Sequence, residues 1–264
     1  MELIKNDNRR MCLIMVLYAL FSFLSPLSKF IIILPCALLV FSVFMFDDNK
    51  LLCVLAFASC FMFCSGILSM FLIMFDSVMA VLLVKKLVEA IKCNNKKTVR
   101  FISIMISIMA LFLIYGLIAT KGHFYKFSQG VGLLLVLTNL YLLENICIKQ
   151  IIQVLAIGLV VSTIMSLISY VCGMYIELPF AYDDITGIRF QAYFANINAL
   201  AMYCSLCQTS ILALMLLKKL NAKKYVVMLV TVTIIGLLTF SKTFILLTLA
   251  IYILAGIIGF IKSS

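Results

Sequence analysis

The sequence predicts an all-α protein, a polytopic transmembrane bundle of about ten helices. Three observations predict it. Hydrophobic residues make up 66% of the 264 positions, against about 45–50% in a soluble domain. Charged residues are 12%, half the usual share of about 25%. Those charges fall between long apolar runs, and the mean hydropathy is +1.24. One soluble core of this size does not hide that much apolar surface. A small disulfide-stapled domain is excluded by length, and a disordered chain by apolarity. A spanning helix takes roughly 20 apolar residues, so ten use about 200 and leave little for loops. Residues 1–264 are therefore read as a single integral membrane domain.

The elements follow in order. Met1 to Arg10 carries Lys5, Arg9 and Arg10 ahead of the first span, 11–24. No small-residue cleavage site follows, so this is an uncleaved span with a cytoplasmic N-terminus. Pro26 and its flanking serines turn the chain into span 2, 30–46. Residues 51–84 are apolar except for Asp76. A single helix over that stretch is about 51 Å long, too long for a core of about 30 Å. It splits into spans 51–68 and 70–88, turning near Ser65 and Gly66. Spans 98–119, 130–144 and 150–174 come next. The longest outer segment, Tyr175 to Arg189, carries Glu177, Asp183 and Asp184. Spans 192–217, 225–240 and 243–261 complete the bundle. In this layout sixteen of the 21 Lys and Arg residues lie on the inner side and five on the outer. That asymmetry places both termini of the membrane protein in the cytoplasm.

The net charge of +11 points to anionic membrane lipids rather than nucleic acid, because the cations flank apolar runs. Most of the ten cysteines lie inside those runs, where a thiol behaves as a small hydrophobe. Cys204 and Cys207 form a CxxC pair near the middle of a span. It reads as a redox pair or as two core residues on one turn, and the second reading is preferred. A lone CxxC supplies too few ligands for a metal, and no cofactor is expected. Asp76 reads as an ion or proton site, or as an interfacial carboxylate near the start of its helix. His123, between Lys121 and Lys126, reads as part of an aromatic and basic belt at the interface.

Two outer cations stand apart. Arg189 closes the acidic outer segment, and Lys242 sits in Thr239-Phe-Ser-Lys-Thr243 between two apolar helices. Each reads as an interfacial anchor or as half of a site for an anionic headgroup. A guanidinium suits a diphosphate because it donates in a planar fork. Asn196 and Asn198 add amide groups of the kind that hold sugar hydroxyls.

The stretch Arg189-Phe-Gln-Ala-Tyr-Phe-Ala-Asn-Ile-Asn-Ala-Leu-Ala201 resembles a motif of the bacterial O-antigen ligase and polymerase family, Arg-Phe-x-Gly-x-Phe-Gly-Asn-Pro-Asn-x-Leu-Ala. Ala192, Ala195 and Ile197 stand where that family has Gly, Gly and Pro. Leu237-Leu-Thr-Phe-Ser-Lys-Thr243 resembles the family's Leu-Leu-Thr-x-Ser-Arg-Gly/Thr, with Lys242 in place of the arginine. The opening hairpin around Pro26 and Ser28 is also similar. The resemblance implies a role in cell-surface polysaccharide biosynthesis. Such proteins take an oligosaccharide from undecaprenyl diphosphate at the outer face and pass it to another glycan or a lipid, without a metal. It further implies Arg189 and Lys242 as diphosphate contacts, Asn196 and Asn198 as sugar contacts, and polysaccharide assembly proteins as partners. In the ligases the base is a histidine in a large outer loop that would follow Ser264. On that basis no catalytic residue is assigned, and the 264-residue chain alone is expected not to transfer glycan. The competing functions are a transporter or flippase and a non-catalytic partner of a polysaccharide export complex.

Overall fold

The structure, a computed structural model, describes residues 2–24, 31, 33–61, 68–119, 124–174, 180–183, 187–194, 197–217 and 222–263. Among them the chain forms ten helices: α1 (Glu2–Leu24), α2 (Ile33–Met45), α3 (Asp48–Ser59), α4 (Leu68–Lys92), α5 (Lys96–Ala119), α6 (Phe124–Leu142), α7 (Ile148–Val171), α8 (Ile197–Leu216), α9 (Ala222–Leu238) and α10 (Lys242–Ser263). Four are long and apolar enough to cross a membrane, over Lys96–Ile118, Ile148–Val171, Ile197–Leu216 and Lys242–Gly259, and Ile33–Met45 and Gly130–Leu142 are shorter apolar helices.

Four differences from the sequence reading stand out. Helix α1 begins at Glu2, well before the apolar run, because a helix continues through a charged, helix-compatible segment where no breaker stops it. The outer segment contains a hairpin. Strand β1 (Phe180–Asp183) pairs antiparallel with β2 (Gly187–Phe190), Ala181 facing Arg189. Helix α8 starts at Ile197 rather than at 192. Asp76 lies eight residues past the first residue of α4, beyond the turn in which a helix start favours a carboxylate. The expected turns at Pro26 and at Ser65-Gly66 lie outside the described residues.

The chain divides into two compact units. The first comprises Met1–Pro35, Lys50–Leu68 and Cys147–Ser264. Its core is aromatic where α1, α3 and α7 meet. Phe61 is fully buried and packs on Phe57 at 5.3 Å and on Tyr18 at 6.1 Å. Gly158 on α7 lets α3 approach closely, since a Cβ there would stand 3.0 Å from the Cys60 sulfur. Gln153 of α7 donates to the Tyr225 hydroxyl of α9. A buried amide ties three helices. Gln208 on α8 donates to Thr233 Oγ1 on α9 (2.8 Å) and accepts from Thr248 Oγ1 on α10 (3.0 Å). Side-chain hydrogen bonds of this kind hold helices together where apolar surroundings leave no competing water. Cys204 and Cys207 are buried on α8 and unbridged.

The second unit comprises Cys36–Asn49 and Ser69–Ile146. Asn94 ends α4 in a left-handed conformation (φ 53°), which asparagine tolerates. Asn95 then caps α5, its Oδ1 accepting from the Thr98 N–H at 3.1 Å. So the basic run 92–100 folds as a tight helix–helix turn. At the same end Lys86 Nζ meets Asp48 Oδ2 at 2.7 Å, and that oxygen also accepts the Glu144 N–H.

Candidate functional site

The Arg189 stretch is built by its apolar members. Phe190, Phe194, Leu200 and Ala201 are all buried, and Phe194 meets Tyr203 edge-on at 5.0 Å. Between β2 and α8 the chain turns at Gln191, whose carbonyl accepts the Phe194 N–H (3.0 Å). Ala192 in this turn has φ +48°, the region glycine enters without penalty. Arg189 is thereby held at the end of β2, next to the start of α8.

The Thr239 stretch is a second tight turn, between α9 and α10. Thr239 Oγ1 donates to the Gly236 carbonyl at 2.6 Å, and the Ser241 N–H donates back to Thr239 Oγ1 at 3.2 Å. Phe240 is half exposed at φ +48°, a strained setting for a bulky residue. Ser241 precedes α10, its carbonyl accepting the Ile245 N–H at 3.1 Å. Its hydroxyl faces the Phe244 N–H at 3.5 Å, the position of an N-cap. Below the turn Phe244 lies over Gly236, where a Cβ would stand 2.0 Å from the ring. Glycine there sets how closely α9 and α10 approach.

The two stretches touch. Arg189 Nε donates to the Thr239 carbonyl at 2.9 Å. Ser241 Oγ donates to Asn198 Oδ1 at 3.5 Å. Arg189, Asn198, Ser241 and Lys242 therefore gather at one end of the first unit, where α8 and α10 both begin. Lys242 is the first residue of α10 and is exposed. Each helix start carries about half a positive charge, and neither α8 nor α10 has an acidic residue in its first turn. A lysine at a helix start works against the dipole. Two helix starts with added cations form a locus that favours an anion.

Asn196, Glu177, Asp184 and His123 lie outside the described residues, and Asp183 is placed only as the last residue of β1. Sequence reasoning missed Thr239 and Ser241, whose buried side chains shape the turn. It also missed the hairpin. Its signal was present in Phe180, Tyr182, Ile188 and Phe190, aromatic and β-branched residues alternating on either side of a short polar turn. No family model, curated protein or solved structure matches the chain.

Proposed function

We propose that the chain is an O-antigen ligase- or polymerase-like membrane protein of cell-surface polysaccharide biosynthesis. It binds undecaprenyl-diphosphate-linked oligosaccharide at the outer face through Arg189 and Lys242. Asn198 and Asn196 are assigned to the sugar. One observation carries this reading: the Arg189 side chain reaches the Thr239 carbonyl, joining the two stretches that the resemblance pairs. The left-handed Ala192 gives further support, because it stands where the family has glycine.

The reading includes a ten-span bundle with both termini inside. Its support is that side-chain bonds join ends assigned to the same side. Lys50 meets Asp7 at 3.3 Å and Gln153 meets Tyr225 among the inner ends. Arg189 meets Thr239 and Asn198 meets Ser241 among the outer ones. Single-cysteine probes at Asp183 and Asn221, in a background without native cysteines, should label from opposite sides of the membrane. Labelling from one side contradicts the topology.

Function is tested by lipid preference. The detergent-purified chain should retain undecaprenyl diphosphate over undecaprenol in native mass spectrometry. Equal retention of the two contradicts a diphosphate site.

A further inference from the structure

Asp76 is the one charged residue in the apolar stretch 51–84. It lies about 12 Å along α4 from Leu68, at 1.5 Å per residue. Its carboxyl packs on α6 at Gly132, where a Cβ would stand 2.5 Å from Oδ1 and 2.8 Å from Oδ2. The missing side chain at 132 is what makes room for it. Among the described residues Asp76 has neither an ion pair nor a hydrogen bond. The nearest charged side chains farther along α4 are engaged elsewhere: Lys85 donates to the Val43 carbonyl and Lys86 to Asp48. Helix α5 carries no charge beyond Arg100, and the side chain of Lys126 on α6 lies outside the described residues.

The same seam holds a second polar group. Asn139 is two turns from Gly132 on one face of α6 and 1% exposed. Its Nδ2 donates to the Met79 carbonyl on α4 at 2.9 Å, while its Oδ1 has no donor. The α4–α6 seam thus contains a carboxyl without a cation and a buried acceptor without a donor. An unpaired carboxylate in an apolar layer is costly, and a proton removes the charge. It also converts the group from an acceptor only into a donor.

We infer that Asp76 is a proton-binding site within the apolar layer, held as the neutral acid in the notch over Gly132. The inference rests on the reading of α4 as a spanning helix. A neutral carboxyl in an apolar phase has a characteristic reaction with a carbodiimide. Its oxygen bonds to the central carbon, its proton moves to one nitrogen, and the acyl group then migrates to nitrogen. The product is a stable N-acylurea that retains every atom of the reagent.

The test uses the full chain in liposomes, treated with dicyclohexylcarbodiimide or with a water-soluble carbodiimide plus an amine, and read by peptide mass spectrometry. The expected result is an N-acylurea on Asp76 with the apolar reagent only. It should decline as pH rises, shrink in Gly132→Ala and vanish in Asp76→Asn. The exposed Glu89 and Glu144 should label with the soluble reagent and serve as the positive control. No adduct on Asp76 with either reagent overturns the proton site and leaves the spanning helix standing. Equal labelling by the soluble reagent overturns both, because it places Asp76 in water.

Discussion

Replacing Arg189 with alanine is expected to lower the affinity for a lipid diphosphate about tenfold or more. A charge-assisted bond from a guanidinium to a phosphate oxygen contributes about 1.5–3 kcal/mol, and about 1.4 kcal/mol is a factor of ten in affinity. The substitution also removes the bond to the Thr239 carbonyl, so the α9–α10 turn loses a tether. Two further variants separate the contributions. Arg189→Lys keeps the charge without the fork, and is expected to bind between wild type and Arg189→Ala. Lys242→Arg supplies the fork that the family has at this position and is expected to retain binding. Titration with undecaprenyl diphosphate, alongside a thermal melt of each variant, reads both effects. An Arg189→Ala protein with undiminished affinity and an unchanged melt contradicts the proposed contact.

Changing Gly236 to valine destabilises the first unit by about 1–3 kcal/mol or more, the usual cost of forcing extra atoms into a filled site. A Cβ at 236 would stand 2.0 Å from Phe244, and that ring is fully buried. The ring moves only if α9 and α10 separate. Gly236 also provides the carbonyl that accepts both the Thr239 hydroxyl and its backbone N–H. Separation therefore displaces the carbonyl that Arg189 holds. The expected outcome is a lower unfolding midpoint in detergent together with weaker lipid-diphosphate binding. Phe244→Ala in the Gly236→Val background should recover part of the stability, because it removes the clashing ring. A Gly236→Val protein as stable as wild type means that the helices do not pack as described.

Much of the helical framework was legible because apolar runs are broken by short polar signals. Span 98–119 appears as α5 (Lys96–Ala119), bounded by Asn95 at its start. Span 243–261 appears as α10 (Lys242–Ser263), bounded by Ser241. Helix length beyond the apolar run was not legible, as α1 shows, because apolarity marks burial in lipid and not helicity. The hairpin escaped because four-residue strands carry too few alternations to stand out against apolar flanks. Within the candidate site, the residue types at 189, 198 and 242 were visible, but their meeting was not. The Arg189–Thr239 bond spans fifty positions and ends on a backbone carbonyl, which no side-chain pattern marks. It depends on left-handed turns at Ala192 and Phe240, residues whose identity gives no hint of that conformation. Asp76 was read near the start of its helix although span 70–88 already puts it six residues in, and in α4 it lies eight residues in.

The proposed lipid-diphosphate site lies where α8 and α10 begin. A photoreactive undecaprenyl diphosphate, carrying its crosslinker beside the phosphates, tests this most directly in membranes containing the chain. Crosslinked peptides are expected from residues 187–198 and 239–245, displaced by unlabelled undecaprenyl diphosphate and lost in an Arg189→Ala, Lys242→Ala double variant. Crosslinks confined to other segments, or unchanged in the double variant, would contradict it.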